Sequence, residues 1–164
     1  MTARTGAAVA WAQQGAAIFP LWWPIVTAEG VRCACGAPTC AAIGKHPIGA
    51  VAPRGVLDAS HDVARVRTWW EQYPDANVGF LPASLGLVGC DVDKPEHHED
   101  ARRFGLFAEP TFEVETGAGL HLYFRYPYPI THDVRLGTVI VRGARGYTIL
   151  PPSQHRSGKA YVAR

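Results

Sequence analysis

The chain is short of charge and short of long apolar runs. Of its 164 residues only 18% are charged, while 48% are apolar. That balance is too oily and too weakly charged for a disordered tail. No uninterrupted apolar stretch approaches the roughly 18 residues of a membrane-spanning helix. Met1-Thr2-Ala3-Arg4 does not lead from a charged region into a long apolar one. No secretory leader and no membrane partner are therefore expected, and a cytoplasmic location is. Internal repeats and low-complexity linkers are absent as well. The length suits one domain, 1–164, with enough core to fold without a metal or a disulfide. Cysteine is scarce but clustered: Cys33, Cys35 and Cys40 fall within eight residues and Cys90 stands apart. In a reducing compartment such a cluster is more often a metal site than a disulfide framework.

Charge is unevenly placed behind a net value of +2. Residues 83–120 carry three Lys/Arg against eight Asp/Glu, and residues 121–164 carry seven Lys/Arg against one Asp. An acidic stretch followed by a basic one suits a site where carboxylates hold cations and cationic groups meet phosphates; scattered surface charge is the competing reading.

The pattern along the chain predicts an α/β or α+β architecture, one sheet with few helices. A short Ala-rich helix carrying Val9, Trp11 and Ala12 ends near Gly15. Ile18 to Ile25 reads as an edge strand or irregular run, because Pro20 and Pro24 interrupt it. Residues 27–58, rich in Gly and Pro, read as a long structured loop of the kind that is functional or metal-braced. Ser60 is expected to cap a helix whose apolar stripe is Val63, Val66, Trp69, Trp70 and Tyr73, stopped by Pro74. Strands are expected at 77–81 and 85–92, a helix at 95–104, and only strands after residue 111.

Three segments can carry chemistry. In Leu87-Val88-Gly89-Cys90-Asp91-Val92-Asp93, strand alternation sets Asp91 and Asp93 on one face and Val88, Cys90 and Val92 on the other. Two carboxylates so placed repel unless a cation lies between them, and hard oxygen ligands suit Mg²⁺ or Mn²⁺; a solvated strand end is the alternative. In Thr116-Gly117-Ala118-Gly119-Leu120-His121-Leu122-Tyr123-Phe124, a Gly-rich turn opens a strand that turns His121 away from Leu122 and Phe124. This arrangement can cradle a triphosphate or form an ordinary hairpin. In residues 141–159, Arg142, Arg145, Arg156 and Lys159 offer phosphate-binding charge, and Ser153 and His155 offer hydrogen bonds.

Taken in order, these segments resemble the primase-polymerase branch of the archaeo-eukaryotic primase superfamily, the bifunctional DNA primase/polymerases. The likeness runs from about Phe19 to Tyr161. It includes Ile18-Phe19-Pro20-Leu21, Gly44-Lys45-His46-Pro47, Trp69-Trp70 through Asn77-Val78-Gly79, Asp91-Val92-Asp93, Thr116 to Phe124, and Arg142 to Ser153. The resemblance implies a fold whose catalytic sheet is like an RNA-recognition domain, antiparallel or mixed. It also implies metal-dependent, template-directed nucleotidyl transfer from nucleoside triphosphates in DNA replication. Asp91 and Asp93 then correspond to the metal-binding acidic pair, with His121 as a catalytic residue on the incoming phosphates. Arg142, Ser153, His155 and Lys45 complete the nucleotide site. The implied partners are nucleoside triphosphates, single-stranded or primed DNA and, since such domains often accompany one, a replicative helicase. One position departs from the pattern: the third acidic residue, two before the Arg-Gly, is Ile140. A member that binds nucleotide or single-stranded nucleic acid without efficient transfer is therefore the alternative. Glu113, Glu115 and Asp133 are candidates to replace the missing carboxylate.

The spacing Cys33-x-Cys35-x4-Cys40-x5-His46 supplies three thiolates and an imidazole, a normal tetrahedral zinc set, within the 27–58 loop. A metal-free loop, or zinc completed by water or by His61, remains open, as does a nucleotide-facing role for His46 beside Lys45. Trp22, Trp23, Trp69 and Trp70 suit stacking on template bases, although helical spacing favours a core position for the last two.

Overall fold

A computed structural model describes residues 2–126, 128 and 130–164. Helix α1 spans Ala3–Gln13, with the Thr2 hydroxyl accepting from the Thr5 amide at its start. Strands β1 (Ile18–Leu21), β2 (Pro24–Thr27) and β3 (Gly30–Cys33) follow, and then helix α2 (Val63–Gln72). Asp62, rather than the expected Ser60, caps α2: its carboxylate accepts from the amides of Ala64 and Arg65 at 2.8 and 3.1 Å. A carboxylate one residue from the helix reaches its free amides, whereas the Ser60 hydroxyl accepts from the Asp62 amide and shapes the approach instead. The remaining elements are β4 (Asn77–Phe80), β5 (Leu87–Val92), α3 (Pro95–Arg103), β6 (Phe112–Glu115), β7 (Leu120–Arg125), β8 (Val134–Leu136), β9 (Val139–Arg142), β10 (Thr148–Leu150) and β11 (Val162–Ala163).

The expectation of one sheet needs correction. The strands form three sheets: β1-β4-β10, β11-β6-β7-β5-β9-β8, and the hairpin β2-β3. Each of the strand pairs among the described residues is antiparallel. The expected run 18–25 breaks at Trp22-Trp23, so its first half becomes an edge of the three-stranded sheet and its second half enters the hairpin. That hairpin also takes the first part of the 27–58 segment. Short strand β8 was not expected, because its three residues are too few to show a period.

Two apolar clusters organise the molecule. The larger joins Val9 and Ala12 of α1, Val66, Trp69 and Trp70 of α2, and Ile18, Phe19, Val78, Phe80 and Leu150 of the three-stranded sheet. Val114 and Tyr123 of the six-stranded sheet also belong to it. Trp69 and Trp70 are thus core, and the buried Trp70 indole donates to the Ala76 carbonyl at 3.1 Å. Trp22 and Trp23 are half-buried and pack on each other. The smaller cluster sets Cys90, Val92, Leu122, Val139 and Val141 against Ala101 of α3. Burial there pushes the Cys90 thiol up to about 12, which leaves it protonated and unreactive. The six-stranded sheet therefore has one face under α3, and its other face carries the polar residues described next. No helix among the described residues is long and apolar enough to cross a membrane.

Candidate nucleotide and metal sites

Alternation along β5 is as the sequence predicts: Cys90 and Val92 face α3, and Asp91 faces away with Gly89. Register then decides what Asp91 meets. Its cross-strand partners are His121 on β7 and Ile140 on β9, and Gly89 lies opposite both Tyr123 and Arg142. Asp91, His121, Tyr123, Ile140 and Arg142 therefore share a face. An open cleft of about 900 Å³ lies over this surface. Asp91, Asp93, His121 and Arg142 line it, together with Lys45, Asp133, Arg145, Tyr147 and Tyr161.

Glycines allow a close approach of the 116–119 turn behind Asp93. A Cβ on Gly119 would lie 2.2 Å from the Val92 carbonyl oxygen, and one on Gly117 would lie 2.0 Å from His155 Nδ1. The turn is organised by Thr116, whose hydroxyl accepts from the amides of Ala118 and Gly119 and donates to Asp93 at 3.3 Å.

Charges in the cleft are arranged around Arg142. Its guanidinium bridges Asp91 and Asp133, donating to Asp91 Oδ2 through Nη2 and to Asp133 Oδ2 at 2.8 Å through Nη1. Asp133 Oδ1 also accepts from the Gly143 amide at 2.9 Å. Burial raises the Asp91 carboxyl above its ordinary value, opposed by Arg142 and Lys45. His121 is 7% exposed, and burial pushes its imidazole down to about 4, against the pull of Asp93. It is neutral at neutral pH, so its 3.7 Å approach to Asp91 is not an ion pair there. Arg142 Nε is buried with no hydrogen-bond partner among the described residues, and the buried His121 ring faces the Ile149 backbone without a well-formed bond at Nδ1. Buried donors and acceptors are rarely left so, and both belong to residues that line the cleft; the accessible guanidinium nitrogens of an arginine are suited to phosphate oxygens.

Other sequence-predicted residues lie elsewhere. Ser153 is fully buried, and its hydroxyl accepts from the Val78 amide at 2.8 Å, tying the chain after β10 to β4. His155 packs against Tyr161 and pairs its Nδ1 with the Ser157 hydroxyl at 2.9 Å. Neither is among the residues lining the cleft. Of the candidate replacements for the third carboxylate, Glu113 and Glu115 pair across from Leu122 and Leu120, which puts them on the face opposite His121. Glu115 is held instead by Arg164 at 2.8 Å. Asp133 alone of the three reaches the cleft. Tyr147 lies inside the Arg142–Ser153 segment and Tyr161 at its far side, but neither carries charge or a metal-ligand pattern that the sequence would mark as a site residue.

Cys33, Cys35, Cys40 and His46 bring one ligand atom each to within 4.8 Å of one another, the only such cluster among the described residues. His46 Nε2 lies 3.4 Å from Cys33 Sγ and 3.5 Å from Cys40 Sγ. A tetrahedral zinc centre has an S–N edge of about 3.6 Å, given Zn–S near 2.3 Å and Zn–N near 2.05 Å. The cluster fits zinc in ligand type and spacing, and His46 rather than His61 is the fourth member.

The family model of the bifunctional DNA primase/polymerase N-terminal domain matches residues 8–164. No curated protein matches the chain.

Proposed function

We propose that this chain, which belongs to the bifunctional DNA primase/polymerase family, binds a nucleoside triphosphate in the cleft over β5, β7 and β9 and transfers its nucleotide to a growing strand. The reaction is attack of a 3′-hydroxyl on the α-phosphate, with pyrophosphate leaving. The observation that carries this reading is the convergence of Asp91, Asp93, His121, Arg142 and Lys45 on one cleft.

Asp91 and Asp93 fit Mg²⁺ or Mn²⁺, which is commonly held by one or two carboxylates plus substrate phosphate oxygens. Bound there, the ion would neutralise charge developing on the phosphates. Lys45, Arg142 and Arg145 supply cationic groups to the triphosphate, and neutral His121 supplies a hydrogen bond that carries no charge of its own. The basic last third of the chain suits the backbone of a single-stranded or primed DNA template. The six-stranded antiparallel sheet takes the part of the RNA-recognition-like catalytic sheet, and the whole chain acts as one primase-polymerase domain. Zinc at Cys33, Cys35, Cys40 and His46 braces the loop that carries Lys45.

A second reading has its own support. Ile140 stands cross-strand from Asp91, where an acidic residue would complete the metal site, and Arg142 already occupies an oxygen of Asp91. Both features favour a member that binds nucleotide with little transfer. Calorimetry with ATP and dATP, with and without Mn²⁺, combined with extension of a primed template, separates the two. Binding with extension, both lost in Asp91→Asn and Asp93→Asn, is expected for the first. Binding with negligible extension assigns the second, and no nucleotide binding refutes both.

A further inference from the structure

Segment 44–48 links the cysteine cluster to the cleft. Gly44 takes a left-handed conformation, and its carbonyl accepts from the Asn77 side chain at 2.9 Å. The Lys45 carbonyl accepts from the Tyr147 hydroxyl at 2.7 Å. The His46 carbonyl accepts from the Trp22 amide at 2.9 Å, and the Ile48 amide donates to the Pro20 carbonyl at 3.1 Å. Neighbouring side chains then part company: His46 joins the cysteine sulfurs, and Lys45 lines the cleft with Asp91 and Asp93. One peptide unit therefore separates a ligand of the Cys₃His set from a cation in the nucleotide site.

We infer that the metal held by Cys33, Cys35, Cys40 and His46 positions Lys45 for the phosphates, so that metal occupancy and nucleotide affinity are coupled. The inference rests on the cleft being a nucleotide site. Its physical basis is entropic and local. A lysine side chain on a mobile loop loses more freedom on meeting a phosphate than one whose backbone is already fixed. The carbonyl contacts hold the backbone of 44–48 from the side of β1 and from Tyr147, and the metal holds it through the His46 side chain. Among the described residues His46 is the only member of the cluster adjacent in sequence to a residue lining the cleft. Linkage requires the reverse effect too: a nucleotide that grips Lys45 must tighten the metal by the same factor.

The test is a cycle of metal depletion against Lys45→Met, read as ATP and dATP affinity in Mg²⁺ buffer. Zinc is removed with a thiol-compatible chelator that is then dialysed away, and circular dichroism checks the fold. Depletion of the wild type is expected to weaken binding roughly 10- to 100-fold, the scale of one charged hydrogen bond. Lys45→Met with zinc bound should lose a similar factor, and depletion of that variant should cost nothing further. A second readout does not need a stable metal-free protein: release of zinc to a chromogenic chelator should slow when nucleotide is added to the wild type, and stay unchanged in Lys45→Met. Unchanged affinity in depleted wild type overturns the inference, as does a full depletion effect in Lys45→Met or zinc release indifferent to nucleotide. In those cases nucleotide still binds and the proposed site survives. No nucleotide binding by zinc-loaded wild type overturns the site and the coupling together.

Discussion

Ile140→Asp is the perturbation that most directly tests the proposed cleft. Ile140 is half-buried and lies opposite Asp91 on one side and Arg135 on the other. Replacing a half-buried isoleucine by aspartate forfeits about 1 kcal/mol of apolar burial. Directly opposed side chains on antiparallel strands have Cβ atoms about 5 Å apart. Two carboxylates at that separation repel by about 3 kcal/mol at an effective dielectric constant near 20. Arg142, on the same face, and Arg135 offset roughly half of it. The net loss without metal is then about 2–3 kcal/mol, or about 4–12 °C in Tm for a domain of this size. A divalent ion at a hundred times its Kd returns about 2.7 kcal/mol. Thermal melts with and without millimolar Mn²⁺ should show the variant falling below the wild type in metal-free buffer and recovering with Mn²⁺. Wild type should respond less, because it offers one carboxylate fewer. Primer extension should be weak in the wild type and at least tenfold faster in the variant. The reasoning is refuted by equal Mn²⁺ shifts in the two proteins, or by strong wild-type extension that Ile140→Asp leaves unchanged or abolishes. That last result would mean another carboxylate, with Asp133 first in line, already completes the site.

Three further outcomes follow from the geometry. Ser153→Ala strands the buried Val78 amide and should cost about 1–3 kcal/mol in denaturant unfolding while leaving nucleotide affinity unchanged; lost affinity at unchanged stability would return Ser153 to the nucleotide site. Asp100 accepts from both the Thr138 amide and its hydroxyl at 2.7 Å, and these bonds hold its carboxyl below the ordinary range. A depressed folded-state pKa gives stability that is complete above the ordinary carboxylate value and lost as pH falls through the folded value. Asp100→Asn should therefore melt below the wild type at pH 7 and converge with it as pH falls below about 4, which melts across pH would show. Elemental analysis of protein purified without chelator should find about one zinc per chain, and chelation should lower protection from hydrogen exchange in residues 27–58 more than in α2 or β4, because the core is large enough to fold alone.

Much of this protein is written locally. The period of two in Val88 to Asp93 separates carboxylates from apolar side chains, and the structure keeps that division between cleft and α3. The stripe of Val66, Trp69 and Trp70 on α2 is equally local, because helical geometry alone brings those residues to one face. Cys33, Cys35, Cys40 and His46 are close enough in sequence for spacing to suggest the cluster, although only the folded loop selects His46 over His61. What a period cannot say is which strand comes to lie beside which. Pairing β4 with both β1 and β10 joins segments about 60 and 70 residues apart, and that choice split the expected single sheet. Register, set by packing on both faces, put Glu113 and Glu115 on the far side and brought Asp133 and Arg142 to Asp91. Ser153 shows the same limit: its residue type suits a phosphate or a backbone amide equally, and the approach of β4 gives it the amide. Side-chain chemistry and local period are properties of neighbours along the chain. The partner each group finds depends on distant segments closing around a common core, so it is settled only when the whole chain packs.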